Sequence, residues 1–341
     1  LSQQNEFTDY DFEGSGMSVL LDVLAYNTHY LGYNANMLAN EMYLDSADLR
    51  SSVVSLAKQV GYTPTSSTSS TATIDVLVSP ASGASLTMSR GTKFTTTVDG
   101  QSYSFVNNAD VSITPTDGVY KFSNLKIHEG SYLNYKYTVS TSDIDQRFII
   151  PNDSVDTTTL TVKIQESSSD ATTNTYTLAS GITGLDSTSK VYFLQEVEGG
   201  RFEIYFGDGV LGKAVADGNI VILDYINTNR DAPNGATSFT LSGTVGGFSN
   251  ATITTLSNAA GGTGLESIAS IKYNAPRDYS AQDRAVTAED YKTLVKSLYA
   301  NAQAVQVYGG EDAETPDYGK VYISIKAKSG SNLTVATKES I

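Results

Sequence analysis

Residues 17–42 carry apolar side chains on more than one side of a helical repeat, and a segment of that kind has few ways to fold. Met17, Leu20, Leu21, Leu24, Leu31, Ala35, Leu38 and Met42 recur at helical spacing and form one stripe. Val19, Val23, Tyr26, Tyr30, Tyr33 and Met37 form a second stripe, more than a quarter-turn round the helix from the first. Ser18, Asp22, His29, Asn36 and Asn40 make up a polar wedge. A surface helix needs one apolar stripe; a helix that is apolar most of the way round is covered on several sides. The segment would span about 39 Å, and each Leu or Met fully removed from water contributes roughly 1.5–3 kcal/mol. Two arrangements satisfy the pattern: both stripes pack within this chain, or the second meets another polypeptide.

A second helix is expected over 47–60, with Asp45 or Ser46 as N-cap and Leu49, Val53, Leu56, Ala57 and Val60 as its apolar stripe. Gly61 and Pro64 end it. Residues 65–73 are low-complexity Ser/Thr, a linker or an edge strand. Short apolar runs then alternate with turn signals. They lie at 74–78, 86–94 (a strand, a glycine turn and a strand), 103–106, 133–139, 148–150, 160–164, 191–194, 202–206 and 220–226. Asp99-Gly100 and Asp117-Gly118 are hairpin signals. The pattern predicts an antiparallel, β-rich region. Small residues at 259–264 read as a hinge or linker. Beyond it, Thr287 and Asp290 have capping-box spacing ahead of the stripe Tyr291, Leu294, Val295 and Leu298. A strand at 304–308, an acidic loop at 311–317 and the alternation of Val321, Ile323, Ile325 and Ala327 follow. The expected class is therefore α+β and multidomain: a helical pair in 1–64, a β-rich middle in 65–258, and a linker with the first part of an α+β domain in 259–341. The chain starts at Leu1, and 334–341 read as the opening of a helix, so a longer product is expected on both sides.

Composition narrows the function. There are no cysteines, so disulfides and Cys-ligated zinc are excluded. A net charge of −15 opposes the clustered Lys and Arg of a nucleic-acid surface. No window reaches the roughly 18 consecutive apolar residues of a membrane span. Tyrosine is abundant at 22 residues, which suits half-buried strands and interfaces.

Motifs for catalysis do not hold up. Residues 207–214 nearly spell a P-loop, but Ala214 stands where a hydroxyl must bind Mg²⁺, and a glycine-turned β-hairpin is the simpler account. Residues 9–14 imitate half an EF-hand loop, but Leu20 takes the position of its bidentate Glu. His29 falls in the polar wedge and His128 beside an expected turn at Glu129-Gly130; neither has a second histidine at ligand spacing. Residues 261–264 lack the preceding strand of a dinucleotide fingerprint. No catalytic, metal or cofactor residue is assigned.

Several stretches converge on one family. They include Asn5-Glu6-Phe7, residues 9–15, Leu20-Leu21-Asp22 with residues 24–28, residues 47–54 and Gly61-Tyr62-Thr63-Pro64. Arg90-Gly91-Thr92-Lys93-Phe94, Tyr205-Phe206-Gly207-Asp208-Gly209, Asn234-Gly235-Ala236 and residues 284–291 continue the series. The chain resembles the baseplate J-like proteins, and among them the T-even-type baseplate wedge subunits of contractile phage tails. The resemblance implies a non-enzymatic virion protein without cofactor. It implies that N-terminal helices join a bundle with a second copy and another wedge protein, and that later domains link neighbouring wedges into a ring, with contacts to sheath-initiating or hub proteins. It further implies assembly in the host bacterial cytoplasm. Leu20, Leu24, Leu31 and Leu38, with Val19, Val23, Tyr26, Tyr30, Tyr33 and Met37, are the expected interface. Two alternatives stand beside it: a receptor-binding adhesin, and a tail-associated glycan hydrolase with two convergent carboxylates.

Overall fold

The computed structural model describes residues 16–79, 83–116, 119–143, 146–179, 184–281, 284–299, 302–312 and 315–327, with single positions 181, 333 and 338. The EF-hand-like residues 9–14, Asp117-Gly118 and nearly all of 334–341 lie outside them.

Two helices come first, α1 (Gly16–Glu41) and α2 (Arg50–Gln59). The second is shorter than the expected 47–60, and neither Asp45 nor Ser46 caps it. Leu49 occupies the cap position with no side-chain bond to give, and it is exposed rather than part of the core. The cap comes from α1 instead. The Glu41 carboxylate accepts the N–H of Asp48 at 2.9 Å and of Leu49 at 3.3 Å. Hydrogen bonds from Ser52 and the Asp48 backbone hold its pKa below the usual carboxylate value. Negative charge is favoured at such a helix start. At the other end Tyr62 N–H bonds the Ala57 carbonyl and Gly61 N–H the Lys58 carbonyl. That closing motif uses Gly61 at φ +82.

A first sheet takes β1 (Thr71–Val78), β3 (Lys93–Val98), β4 (Gln101–Asn107), β6 (Tyr120–Glu129), β14 (Thr240–Ser242) and β15 (Ala251–Ala260), in the order β14-β3-β4-β6-β1-β15. A short ribbon, β2 (Leu86–Met88) with β5 (Val111–Ile113), adds to its core. Phe94, Phe105, Phe122, Ile74 and Ile127 fill that core. The 65–73 stretch is neither linker nor edge. Ser66, Ser67, Ser69 and Ser70 are buried, and β1 runs between β6 and β15.

A second sheet is separate, with its own core around Ile150, Val162, Phe202, Ile204, Leu223 and Tyr225. It takes β7 (Ser131–Thr138), β8 (Phe148–Ile149), β9 (Val155–Gln165), β10 (Thr173–Leu178), β11 (Val191–Glu196), β12 (Phe202–Phe206) and β13 (Ile220–Asn227). Their order is β7-β13-β9-β10-β11-β12-β8. The antiparallel expectation fails at one place: β10 and β11 pair in parallel through Thr177–Val191 and Leu178–Tyr192.

Between the sheets lies a polar joint. β6 runs into β7 with only Gly130 between them, at φ +125. A Cβ there would stand 2.3 Å from the Asn227 carbonyl oxygen, so only glycine lets the two strands cross this closely. Beside it the fully buried Glu129 carboxyl accepts Thr228 Oγ1 at 2.8 Å, Asn229 N at 2.9 Å and Asn229 Nδ2 at 2.7 Å. Arg90, from the turn before β3, reaches across the boundary. It lies over the Tyr132 ring, donates to Asn108 at 2.8 Å and comes within 3.7 Å of Asp224 on β13. Burial alone would raise the Asp224 pKa. Hydrogen bonds from Asn134, Tyr132 and Lys163 outweigh it, and the net shift is downward.

Residues 259–264 are not a hinge. Ala259 and Ala260 end β15, and Gly262 is clasped by Asn234, which donates to its carbonyl and accepts its N–H, both at 3.0 Å. A strand therefore does lead into the glycines. It is an antiparallel edge strand, however, and no βαβ phosphate site forms there. The chain then enters α3 (Ile268–Ala281), whose Ile271 and Ala275 pack on Val53, Val54 and Ala57 of α2. In α4 (Ala288–Leu298) the Thr287–Asp290 capping box is formed. Val295 is buried, whereas Leu298, expected in the stripe, is exposed. The hairpin β16 (Ala302–Gly309) with β17 (Val321–Ala327) follows.

Candidate partner interface

α1 is a helix by local preference, with leucine, alanine and methionine and no internal proline. None of its residues is buried. Leu20, Leu24, Leu31 and Leu38 are 59–67% exposed, and Val19, Val23, Tyr26, Tyr30, Tyr33 and Met37 are 46–64% exposed. Of the two arrangements compatible with the sequence, packing of both stripes against the described residues of this chain is not realised; even the leucine stripe stays open. Covering these ten side chains would contribute on the order of 10–20 kcal/mol. Patches of this extent on a soluble chain mark interaction surfaces.

The charge pattern is in keeping. In a chain of net charge −15, α1 holds only Asp22 and Glu41 as carboxylates and no Lys or Arg. Depletion of charge at the centre is characteristic of protein interfaces. On the tyrosine side Tyr26 and Tyr30 stand one turn apart with ring centroids 4.4 Å apart and hydroxyls at 2.9 Å. His29 is exposed with its ring edge-on to Tyr30. At the root of α1, Leu38, Glu41 and Met42 face Ser51, Ser52, Ser55 and Leu56 across an open groove.

The rest of the molecule ties this root down. Arg50, the first residue of α2, grips Glu196 of β11 through two bonds of 2.6 and 2.8 Å and also donates to the Glu266 carbonyl. The Glu266 carboxylate collects Tyr62 Oη at 2.8 Å, Thr65 N at 3.0 Å, Ser270 Oγ at 2.6 Å and Asn274 Nδ2 at 3.0 Å. Burial, then the Glu266 charge, push the Tyr62 hydroxyl pKa up. Lys272 of α3 donates to the Asp45 carbonyl at 3.0 Å. None of these partners was legible in sequence, since Arg50 and Glu196 lie 146 residues apart.

The chemical alternatives fare differently. Ser69, His128 and Asp156 do come together, at the polar joint and not at a turn, for His128 lies within β6. Their order is unsuited to nucleophilic catalysis. The Ser69 hydroxyl donates to Asp156 at 2.6 Å and sits 3.2 Å from His128 Nδ1, so the serine stands between base and carboxylate. Burial first, and Lys126 second, push His128 down to about pKa 4. Residues 207–213 are not the expected hairpin. β12 pairs with β11 and β8, and Asp208 accepts the N–H of Val210 and Leu211 in a local turn. The buried carboxyls of Glu129, Asp156, Glu196, Glu203, Asp224 and Glu266 are each held by protein donors. Among the described residues no cluster of three His, Asp or Glu could hold a metal. No described helix is long and apolar enough to cross a membrane.

Residues 1–62 match the family described as "Baseplate wedge protein gp6-like, helical domain". Residues 135–234 match "Bacteriophage baseplate wedge protein gp6, third domain" and 287–341 match "Baseplate structural protein gp6, C-terminal domain I". The chain is 31% identical to the "Baseplate wedge protein gp6" of Enterobacteria phage T4, an alignment taking in 100% of this chain and 54% of that protein. It thus spans about half the length of that relative. A solved baseplate of the anti-feeding prophage, imaged by cryo-electron microscopy, aligns with 87% of this chain and 56% of its own. Its identity is 11% and its TM-score 0.30, too slight a likeness to assign a fold.

Proposed function

We infer, from three gp6 wedge domains lying in order along one chain, that this protein is a structural baseplate wedge subunit of a bacteriophage tail. The observation that carries its mode of action is α1: a 26-residue helix with no buried residue, mounted on a body whose two sheets each have a buried core. In this reading the two stripes join a helical bundle with a second copy and another wedge protein, removing their apolar area from water. The later domains link neighbouring wedges into a ring round the hub and meet sheath-initiating or hub proteins. The protein acts by position and not by turnover. It assembles in the host cytoplasm and resides in the virion's contractile tail. The division into a helical start to 64, a middle part and an α+β end belongs to the same proposal, with the boundary expected at 258 moved past Ala260 so that the middle part holds both sheets whole, as does affiliation with the baseplate J-like proteins.

Co-expression with the other wedge proteins tests this. The wild-type chain is expected to elute by light scattering as a complex holding more than one copy. Val23→Glu with Tyr30→Glu is expected to leave a folded monomer that captures no partner. A wild-type chain that stays monomeric beside its wedge partners, or a double variant that still assembles, would overturn it.

A further inference from the structure

We propose that Glu41 and Arg50 form a positioning device that fixes the direction in which α1 leaves the body. The purpose of such a device rests on α1 being the assembly helix; its geometry does not. With nothing buried along residues 16–41, the heading of α1 is set at its root. Four contacts form that root. The Glu41 carboxylate binds the backbone N–H of Asp48 and Leu49, so the last residue of α1 is also the cap of α2. Within the connection, Ser46 Oγ donates to the Asn40 carbonyl at 2.6 Å and Lys272 Nζ to the Asp45 carbonyl. Arg50 then carries the orientation of α2 into the second sheet through Glu196, whose side chain is 1% exposed against 27% for Arg50. A two-point guanidinium–carboxylate pair restricts angle as well as distance, which a single lysine contact does not.

Lever length makes this matter. Asp22 lies about 28 Å along the helix from Glu41. Each 10° of freedom at the root therefore moves it by about 5 Å, half the about 10 Å spacing at which helices pack. A helix wandering by that much would meet bundle partners in several registers.

The chain has no cysteine, so Asp22→Cys and Thr175→Cys, the latter on exposed β10, give a unique spin-label pair. Labelled protein is diluted into unlabelled full chain to remove intermolecular pairs, and the distance distribution is read by double electron–electron resonance. The parent is expected to give one narrow distribution. Glu41→Ala and Arg50→Ala are each expected to broaden it by several ångströms or more, and Lys292→Ala, which breaks only the exposed pair with Glu289, to leave it unchanged. Should Arg50→Ala fail to fold, Glu196→Gln, which keeps the shape and loses the charge, gives the same reading. A parent distribution as broad as the variants', or variants as narrow as the parent, would overturn the proposal. Because no partner is present, the outcome is separate from that of the co-expression experiment.

Discussion

The helix α1 and the joint at Gly130 are opposites in how they use side chains. Along α1, apolar groups that should be covered are open and charge is nearly absent. At the joint, polar groups that should be wet are buried, and Glu129, Asp156, Ser69 and His128 satisfy one another or their neighbours. A buried polar network is tolerated only when its members are paired, and it then holds one geometry against others. An open apolar helix is tolerated only when something else covers it. The joint is therefore held largely within the chain, although the buried Asn227 Oδ1 and the Nε of Arg90 and Arg230 have no partner there, whereas α1 is left open by the rest of the described chain.

The sharpest way to break this comparison is at the joint. Gly130→Ala would force a Cβ to within 2.3 Å of the Asn227 oxygen and 2.7 Å of Ile226 Cγ2, in a backbone region unfavourable to alanine. Clash and strain together should remove about 4 kcal/mol. Denaturant unfolding with circular dichroism would check it. A loss under about 1 kcal/mol would mean that the sheets part easily and that the joint does not hold them.

That joint also marks where the sequence stopped being informative. The α1 stripes and the runs at 202–206 and 220–226 were legible because one periodicity persisted through each. β6 escaped notice because its alternation changes phase: Tyr120 and Phe122 point inward, then Leu125 and Ile127. Between them Asn124, at φ +54, forms a bulge whose N–H is taken by Asp75 at 2.9 Å. A bulge inserts one residue and breaks the two-residue repeat. β15 was hidden by its threonines and α3 by Pro276. The mount of α1 could not be read at all, since its cap on α2 and its Arg50 clamp are contacts between distant segments. The composition of α1 was visible in the sequence, and the openness of both its stripes only in the structure.

A smaller effect follows from pH. His128 has its pKa lowered from 6.5 to about 4, so between those values the unfolded chain binds a proton that the folded chain refuses. Stability is therefore full above pH 6.5 and falls as pH drops towards 4, by about 3 kcal/mol at most. Asp224 and Glu203, both lowered, extend the loss to still lower pH as they are protonated in turn. His128→Asn keeps a donor for Ser69 and lacks the titration. Thermal melts at pH 7 and pH 5 should show a steeper loss for the parent than for the variant; equal slopes would place the acid sensitivity elsewhere.

The smallest effect on stability should come from the most apolar positions. Leu24→Glu with Leu31→Glu removes two large side chains that touch no core, and glutamate sustains a helix nearly as well as leucine. The isolated chain should change by no more than about 0.5 kcal/mol. Val53→Ala in α2, a smaller truncation at a fully buried site, should cost about 2 kcal/mol. Urea unfolding of the two variants side by side makes the contrast independent of any partner. If the exposed double change destabilises as much as the buried single one, α1 folds back on its own chain in solution, and the distinction between a self-sufficient joint and an unfinished helix is lost.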